Sequence, residues 1–318
     1  MIRAILAGWA LVAGVAAHAQ PAPIRVIDPV VLPSAHGQRA LALRVTGPAR
    51  ITGRAAVILF SHGSGLSRGG YAPIIEAWAR AGYIVIQPDH QDASIDGFPP
   101  PVAPGADLWR TRVQDMIRAA HAIPAITRAE PAWRGHIDAR RVLAAGHSFG
   151  GHTVAALMGA GVWDAGAGRF VRLPLPALRG AVLLSPPGDG GPDDLAQGFR
   201  ARGTYLQVER KGIRGPMLVM VGDADDSRAL SLRGLGWHAD VYRHSATRGL
   251  CLITMAGARH YLGGIVDPRR SGVEDADPAR LALVRRASLA LFAAALAGRA
   301  PMPDDYAPLG TDGATECR

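Results

Sequence analysis

Residues 141–151 read Arg141-Val142-Leu143-Ala144-Ala145-Gly146-His147-Ser148-Phe149-Gly150-Gly151. An apolar strand-like run enters a glycine-flanked serine, and a small-residue helical stretch, His152 to Ala160, leaves it. This is the G-x-S-x-G pattern in the setting of strand, sharp turn and helix that such an elbow requires. The turn forces Ser148 into a strained backbone conformation, and glycines on either side let strand and helix approach closely enough to close it. The hydroxyl then projects above the sheet edge, where amides at a helix N-terminus point at the same spot. A glycine-rich turn without chemistry has the same short signature, so the weight rests on what accompanies it.

Outward from the elbow, apolar runs alternate with helical patterns, which predicts an α/β fold with a mostly parallel central sheet flanked by helices. Strands are expected at Ala56–Phe60, Tyr83–Ile86, Val142–Ala145, Gly180–Leu184, Met217–Val221 and Leu250–Met255, the last of the series. Helices are expected at Tyr71–Ala81, after Asp107 as a cap, and at Asp277–Ala297. Residues 92–107 form a long proline- and glycine-rich loop. Residues 161–179 and 188–214 lack strand periodicity and are candidate cap insertions in a single domain spanning 20–318; residues 299–318 read as a draped tail.

A serine at neutral pH needs a base within hydrogen-bond reach, and the base needs an orienting carboxylate. Both are expected just past the C-terminal ends of later strands, in the order serine, acid, histidine. Met217–Val221 runs into Gly222-Asp223-Ala224-Asp225-Asp226, and Leu250–Met255 into Ala256-Gly257-Ala258-Arg259-His260. A step of three past the strand-ending glycine selects Asp225 as the acid. Asp223 is expected to hydrogen-bond backbone amides, Asp226 to cap a helix near Ser227, and Asp189 is a remote alternative acid. Of eleven histidines, only His260 follows a late strand in this way. His147 and His152 read as packing or hydrogen-bonding residues, not a metal pair. No cluster along the chain suggests a metal, and no cofactor is implied. The oxyanion donors are expected to be the N–H of Phe149 and that of Ser64, in Phe60-Ser61-His62-Gly63-Ser64-Gly65, with Gly63 as the runner-up and His62 bracing the loop.

The N-terminus reads as a secretory signal peptide over residues 1–19: Arg3, an apolar stretch from Ala4 to Ala17, and the small-x-small site Ala17-His18-Ala19. Cleavage after Ala19 places the mature chain in the periplasm or outside the cell. The apolar run is short for a bilayer span, so no transmembrane anchor is expected. In an oxidising compartment the two cysteines, Cys251 and Cys317, are candidates for a bridge, with a buried strand thiol and a free tail as the alternative. The net charge of +9 is carried by scattered arginines, Lys211 being the only lysine. Without dense runs or aromatic interleaving this describes a basic solvated surface, and no nucleic-acid partner is expected.

Taken together, Phe60 to Gly65, Arg68, Tyr71, Ala81-Gly82-Tyr83-Ile84-Val85, His90, Asp92 and Ser94 resemble the platelet-activating-factor acetylhydrolase family and related bacterial "predicted dienelactone hydrolase"-like proteins. Arg112 with Asp115, Ile137 to Arg141, Gly146 to Gly151, and Gly257 to His260 extend the resemblance over residues 55–265. It implies an α/β-hydrolase fold, a Ser148–Asp225–His260 triad, Ser64 and Phe149 as oxyanion donors, no metal, and hydrolysis of carboxylic esters. True dienelactone hydrolases use a cysteine nucleophile, so that name does not set the substrate. The expectation is an exported serine esterase acting on a small-molecule or lipid-like ester. The alternatives are an acyltransferase or amide hydrolase with the same triad, and a non-catalytic binding protein on the same fold.

Overall fold

The computed structural model describes residues 21–34, 38–94, 105, 107–191, 193–267, 275–307 and 313–318. The expected signal peptide, 1–19, and most of the 92–107 loop lie outside the described residues. In chain order the strands are β1 (Ile24–Leu32), β2 (Leu41–Pro48), β3 (Ala55–Ser61), β4 (Ile84–Pro88), β5 (Ile137–His147), β6 (Gly161–Asp164), β7 (Arg169–Val171), β8 (Leu178–Leu184), β9 (Val208–Glu209), β10 (Met217–Gly222), β11 (Leu250–Met255) and β12 (Gly313–Cys317). The α-helices are α1 (Ala72–Arg80), α2 (Leu108–Ala120), α3 (Ile123–Ala129), α4 (Phe149–Leu157), α5 (Gln197–Arg200), α6 (Asp240–Arg243) and α7 (Pro278–Leu296).

Among the described residues, nine strands make one sheet in the order β1-β2-β4-β3-β5-β8-β10-β11-β12. Its centre, from β4 to β11, is parallel. These strands are covered on both faces, which is why they read as unbroken apolar runs instead of alternating ones. Every residue of β3, β4 and β10 is buried. Successive side chains feed opposite cores. Val57 and Leu59 join Trp109, Val113 and Met116 of α2 on one face. Ile58 and Phe60 join Trp78 of α1 and Phe292 of α7 on the other. The Trp78 indole N–H donates to Ser288 Oγ at 2.8 Å, which ties α1 to α7.

Five features differ from the sequence expectation. The β1–β2 hairpin pairs antiparallel onto β4 and extends the sheet beyond the first expected strand. Most of β1 is solvent-facing, so it carries little apolar signal. β11 is not the last strand, because the tail returns as β12, antiparallel to β11, with Cys251 opposite Cys317. Segments 161–171 and 208–209 form a separate antiparallel sheet, β7-β6-β9, whose two- to four-residue strands are too short to show periodicity. No helix begins at Ser227; Asp226 instead pairs with Arg228 at 2.8 Å. Asp107 does sit at the N-cap of α2 but makes no side-chain cap bond, whereas Asp277 caps α7 by accepting from the Ala279 and Arg280 amides. Cys251 and Cys317 are joined in a disulfide, with Cα atoms 4.1 Å apart. Among the described residues no helix is long and apolar enough to cross a membrane.

Candidate active site

The turn from β5 into α4 holds Ser148 at φ 52°, ψ −122°, a left-handed conformation for a non-glycine residue. Its amide donates to Leu184 O on the neighbouring strand β8, and its carbonyl accepts from Gly151 and His152. The flanking glycines are steric necessities. A Cβ at Gly146 would collide with the Gly150 carbonyl, and one at Gly150 with the Ser61 carbonyl of β3. The side chain of Ser148 remains partly accessible at the sheet's C-terminal edge, while Phe149 beside it is buried. Phe149 opens α4, so its N–H has no acceptor within the helix.

The loops after β10 and β11 bring the expected acid and base together. His260 Nδ1 donates to Asp225 Oδ2 at 2.8 Å. Asp225 is 2 % exposed, whereas the His260 ring is 29 % exposed, open to solvent and substrate. Burial pushes the Asp225 carboxyl up, but the His238 and His260 rings beside it outweigh this and hold it well below the usual carboxylate range. Asp223 has the separate task expected of it: its Oδ1 accepts from the Gly257 amide at 2.7 Å and joins the acid loop to the base loop. Asp189 is engaged elsewhere, with Arg210 and His244. The His260 ring lies 4.8 Å from the ring of His147, which immediately precedes Ser148. Ser148 and His260 are not directly hydrogen-bonded in this structure, a pairing that in unliganded hydrolases often tightens only with substrate.

His238 is a site residue that the sequence did not reveal. It is buried on a single 3₁₀ turn, Trp237–Ala239, with Nδ1 donating to Pro186 O at 2.7 Å. Its Nε2 faces Asp225 Oδ2 at 3.3 Å and Ser227 Oγ at 2.8 Å. It follows no strand and fits no motif, so no spacing in the chain marks it.

The loop carrying Ser64 is built from below. Arg112 of α2 forms a fully buried, two-pronged ion pair with Asp92, at 3.0 and 2.7 Å. The same guanidinium donates to His62 O at 2.8 Å and Gly63 O at 3.3 Å, and lies over the Phe149 ring at 4.5 Å. His62 braces the loop as expected: Nδ1 donates to Gly63 O, and Nε2 accepts from the His90 amide. His90 in turn contacts Ser61 Oγ and Asp115. Burial, and then the Arg112 charge, lower the basicity of both histidines well below that of free imidazole. Burial raises the Asp92 carboxyl, and Arg112 more than reverses this and keeps it anionic. Arg112 therefore pairs with Asp92, while Asp115 binds Arg39 and His90. The Gly63 N–H donates to Tyr71 Oη at 2.9 Å, so it is already engaged, leaving Ser64 as the donor candidate on this loop.

Among the described residues, two groupings offer ligand-type atoms within 4.8 Å of one another: Asp225, His238 and His260, and Asp189, Asp240 and His244. Both assemble only in three dimensions and escape a reading along the chain. In the first, the facing atoms already belong to the Asp225 hydrogen-bond set. In the second, Arg210 and Arg233 pair with the two carboxylates.

Over the elbow helix lies part of the 188–214 segment. Tyr205 stacks on Phe149 at 4.8 Å, and its carbonyl accepts from His152 Nε2 at 3.0 Å. Phe199 of α5 meets the edge of Tyr205 at 6.3 Å.

A large, mostly parallel sheet flanked by helices, with a strained serine at the strand-to-helix turn, defines an α/β-hydrolase-type fold. A family model described as "Platelet-activating factor acetylhydrolase, isoform II" matches residues 16–96. That match supports the platelet-activating-factor acetylhydrolase family for this chain, and with it ester hydrolysis in general. The matched segment contains the 62–65 loop and stops before Ser148. No curated protein matches the chain.

Proposed function

We propose that this chain is an exported serine hydrolase of carboxylic esters, with Ser148 as nucleophile, His260 as general base and acid, and Asp225 as the orienting carboxylate. The observation that carries this reading is the conjunction of a positive-φ Ser148 with a 2.8 Å His260–Asp225 bond between the loops that follow β11 and β10. With Nδ1–H donated to Asp225, the neutral His260 ring has its lone pair at Nε2. Nε2 takes the Ser148 proton as Oγ bonds to the ester carbonyl carbon. The carbonyl oxygen becomes an oxyanion, held by the Phe149 and Ser64 N–H groups. Collapse of this tetrahedral species breaks the bond to the alcohol oxygen, which receives the proton from His260. Water, deprotonated by His260, then attacks the acyl-enzyme and releases the carboxylic acid, returning the proton to Ser148. Asp225 remains anionic throughout and stabilises the imidazolium.

Export rests on the sequence of residues 1–19. Segments 161–179 and 188–214 are proposed as the cap; Tyr205 and Phe199 supply the aromatic wall nearest the elbow. The substrate is a small or lipid-like ester. Turnover of p-nitrophenyl acetate by the mature chain, set against Ser148→Ala, tests the reading. A fall of about 10⁶-fold in kcat is the reference scale for removing a triad serine. An organophosphonate should label Ser148 in the wild type only. An alanine variant that keeps near-full turnover would overturn the assignment.

A further inference from the structure

Three hydrogen bonds, two of them buried and the third part-buried, run in one direction beneath Ser148. The Gly63 N–H can only donate, and it donates to Tyr71 Oη at 2.9 Å. Tyr71 therefore sends its own proton to His147 Nδ1 at 2.8 Å. With Nδ1 accepting, the single proton of a neutral His147 ring sits on Nε2, which donates to the His260 carbonyl at 3.0 Å. The opposite polarity is impossible, because an amide N–H cannot accept at one end and a carbonyl cannot donate at the other. Burial removes the alternatives. Tyr71 is wholly buried and His147 nearly so. Burial, and then the nearby His260, keep His147 far less basic than free imidazole, and burial pushes the Tyr71 hydroxyl up beyond its usual range. The chain also explains the glycine at its head: a Cβ at Gly63 would lie 3.0 Å from His147 Nδ1 and 3.2 Å from Tyr71 Oη, crowding the central bond.

The ends of this chain are the loop that carries the proposed oxyanion donor and the backbone of the proposed base. We infer that Tyr71 and His147 are positioning residues, which lock the 62–65 loop to His260 so that the amide donor and the base keep a fixed separation about Ser148. The inference rests on the ester-hydrolase reading above. Neither side chain touches the reacting atoms, and neither exchanges a proton during turnover.

Tyr71→Phe keeps the ring packing against Phe60 at 4.6 Å and removes two bonds of the chain. It should lower kcat about 10- to 100-fold with KM little changed, a fraction of the ~10²–10³ attached to loss of a whole oxyanion donor. His147→Leu should do the same, and His147→Gln, which restores a donor toward His260 O, should recover part of the loss. The double variant Tyr71→Phe/His147→Leu should be no slower than the slower single, since both cut one chain. Singles that are folded but retain kcat within about twofold, or losses that multiply in the double variant, would reduce these residues to packing and overturn the inference. A second readout does not depend on turnover. Imidazole ¹⁵N spectra of the wild type should show His147 bare at Nδ1 and protonated at Nε2 across the range in which histidines titrate. The opposite tautomer would break the chain whatever the activity. Absence of both esterase turnover and organophosphonate labelling in the wild type would instead remove the ester-hydrolase reading and leave the tautomer result to stand by itself.

Discussion

The two sides of Ser148 are built on opposite electrostatic plans. On the proposed base side, one carboxylate, Asp225, accepts from the accessible His260 and faces the buried His238. On the oxyanion side, the charges are paired off below the surface: Arg112 and Asp92 neutralise each other at 0 % and 1 % exposure, and the surrounding His62 and His90 are held neutral by burial and by Arg112. The difference follows from what each side must do. A base has to gain and lose a proton, so it needs an anion to stabilise the imidazolium and a route to solvent. The proposed oxyanion side has to stay fixed while charge develops elsewhere, and the carboxylate beneath its loop, Asp92, is kept anionic by Arg112 against the pull of burial.

The sharpest way to break this comparison is to neutralise each anion. Asp225→Asn should lower kcat on the scale of ~10⁴, because an amide can stabilise the wrong His260 tautomer and cannot offset the imidazolium charge. Asp223→Asn should be far milder, since Asp223 only accepts from the Gly257 amide. Steady-state kinetics on the two folded variants decide; the reverse ranking would make Asp223 the acid. Asp225 should stay ionised through mild acidification, because the His260 hydrogen bond and the neighbouring His238 outweigh its burial and hold it below the ordinary carboxylate range, so any early loss of wild-type kcat/KM on acidification is not a loss of the acid.

On the other side, Asp92→Asn leaves the buried Arg112 charge without its paired carboxylate. Removing one partner of such a pair costs about 3–5 kcal/mol, so the urea midpoint should fall sharply at neutral pH. Arg112→Lys, which keeps the charge but loses the planar fork, should be better tolerated in stability while still reducing kcat through the loose His62 and Gly63 carbonyls. The sign with pH is fixed. The folded-state carboxyl of Asp92 titrates below its unfolded range near ~3.9, so its contribution is present above that range and lost as the pH falls through it. The stability gap between wild type and Asp92→Asn should therefore shrink on acidification below about pH 4. A gap constant down to acid pH would show that the pair contributes nothing through charge.

The same contrast explains what could be read along the chain. The central strands were legible because burial on both faces writes them as apolar runs, and Ser148, Asp225 and His260 because each follows such a run. His62 was legible as a brace because it sits inside the Ser64 loop. His238 was not, because its role comes from meeting Asp225 and Pro186 across a loop with no pattern of its own. Arg112 stands three residues before Asp115 on α2, yet its partner is Asp92, twenty residues away. β1 and the β6–β7–β9 sheet left no signal, being exposed or too short for a period to develop.

The smallest effect on catalysis is expected farthest from both sides. Cys251 lies in β11 and Cys317 in β12, paired in register across the sheet edge. The bridge spans 66 residues of chain and returns the tail as an edge strand. β12 itself has no fully buried residue, so the five hydrogen-bonded positions it adds do not bury enough apolar surface to dock firmly without the link. Closing a loop of that order restricts the unfolded chain and is worth about 2–4 kcal/mol, the upper end applying when native geometry is unstrained. Cys317→Ser should therefore lower the thermal midpoint and speed proteolysis near the C-terminus, while kcat and KM at ordinary temperature stay close to wild type. Its sulfur chemistry touches neither Asp225 nor Arg112, although β11 leads directly into His260. A variant that loses activity in step with β12 detachment would show that the edge strand holds the base loop in place, and would extend the base side of the site to the end of the chain.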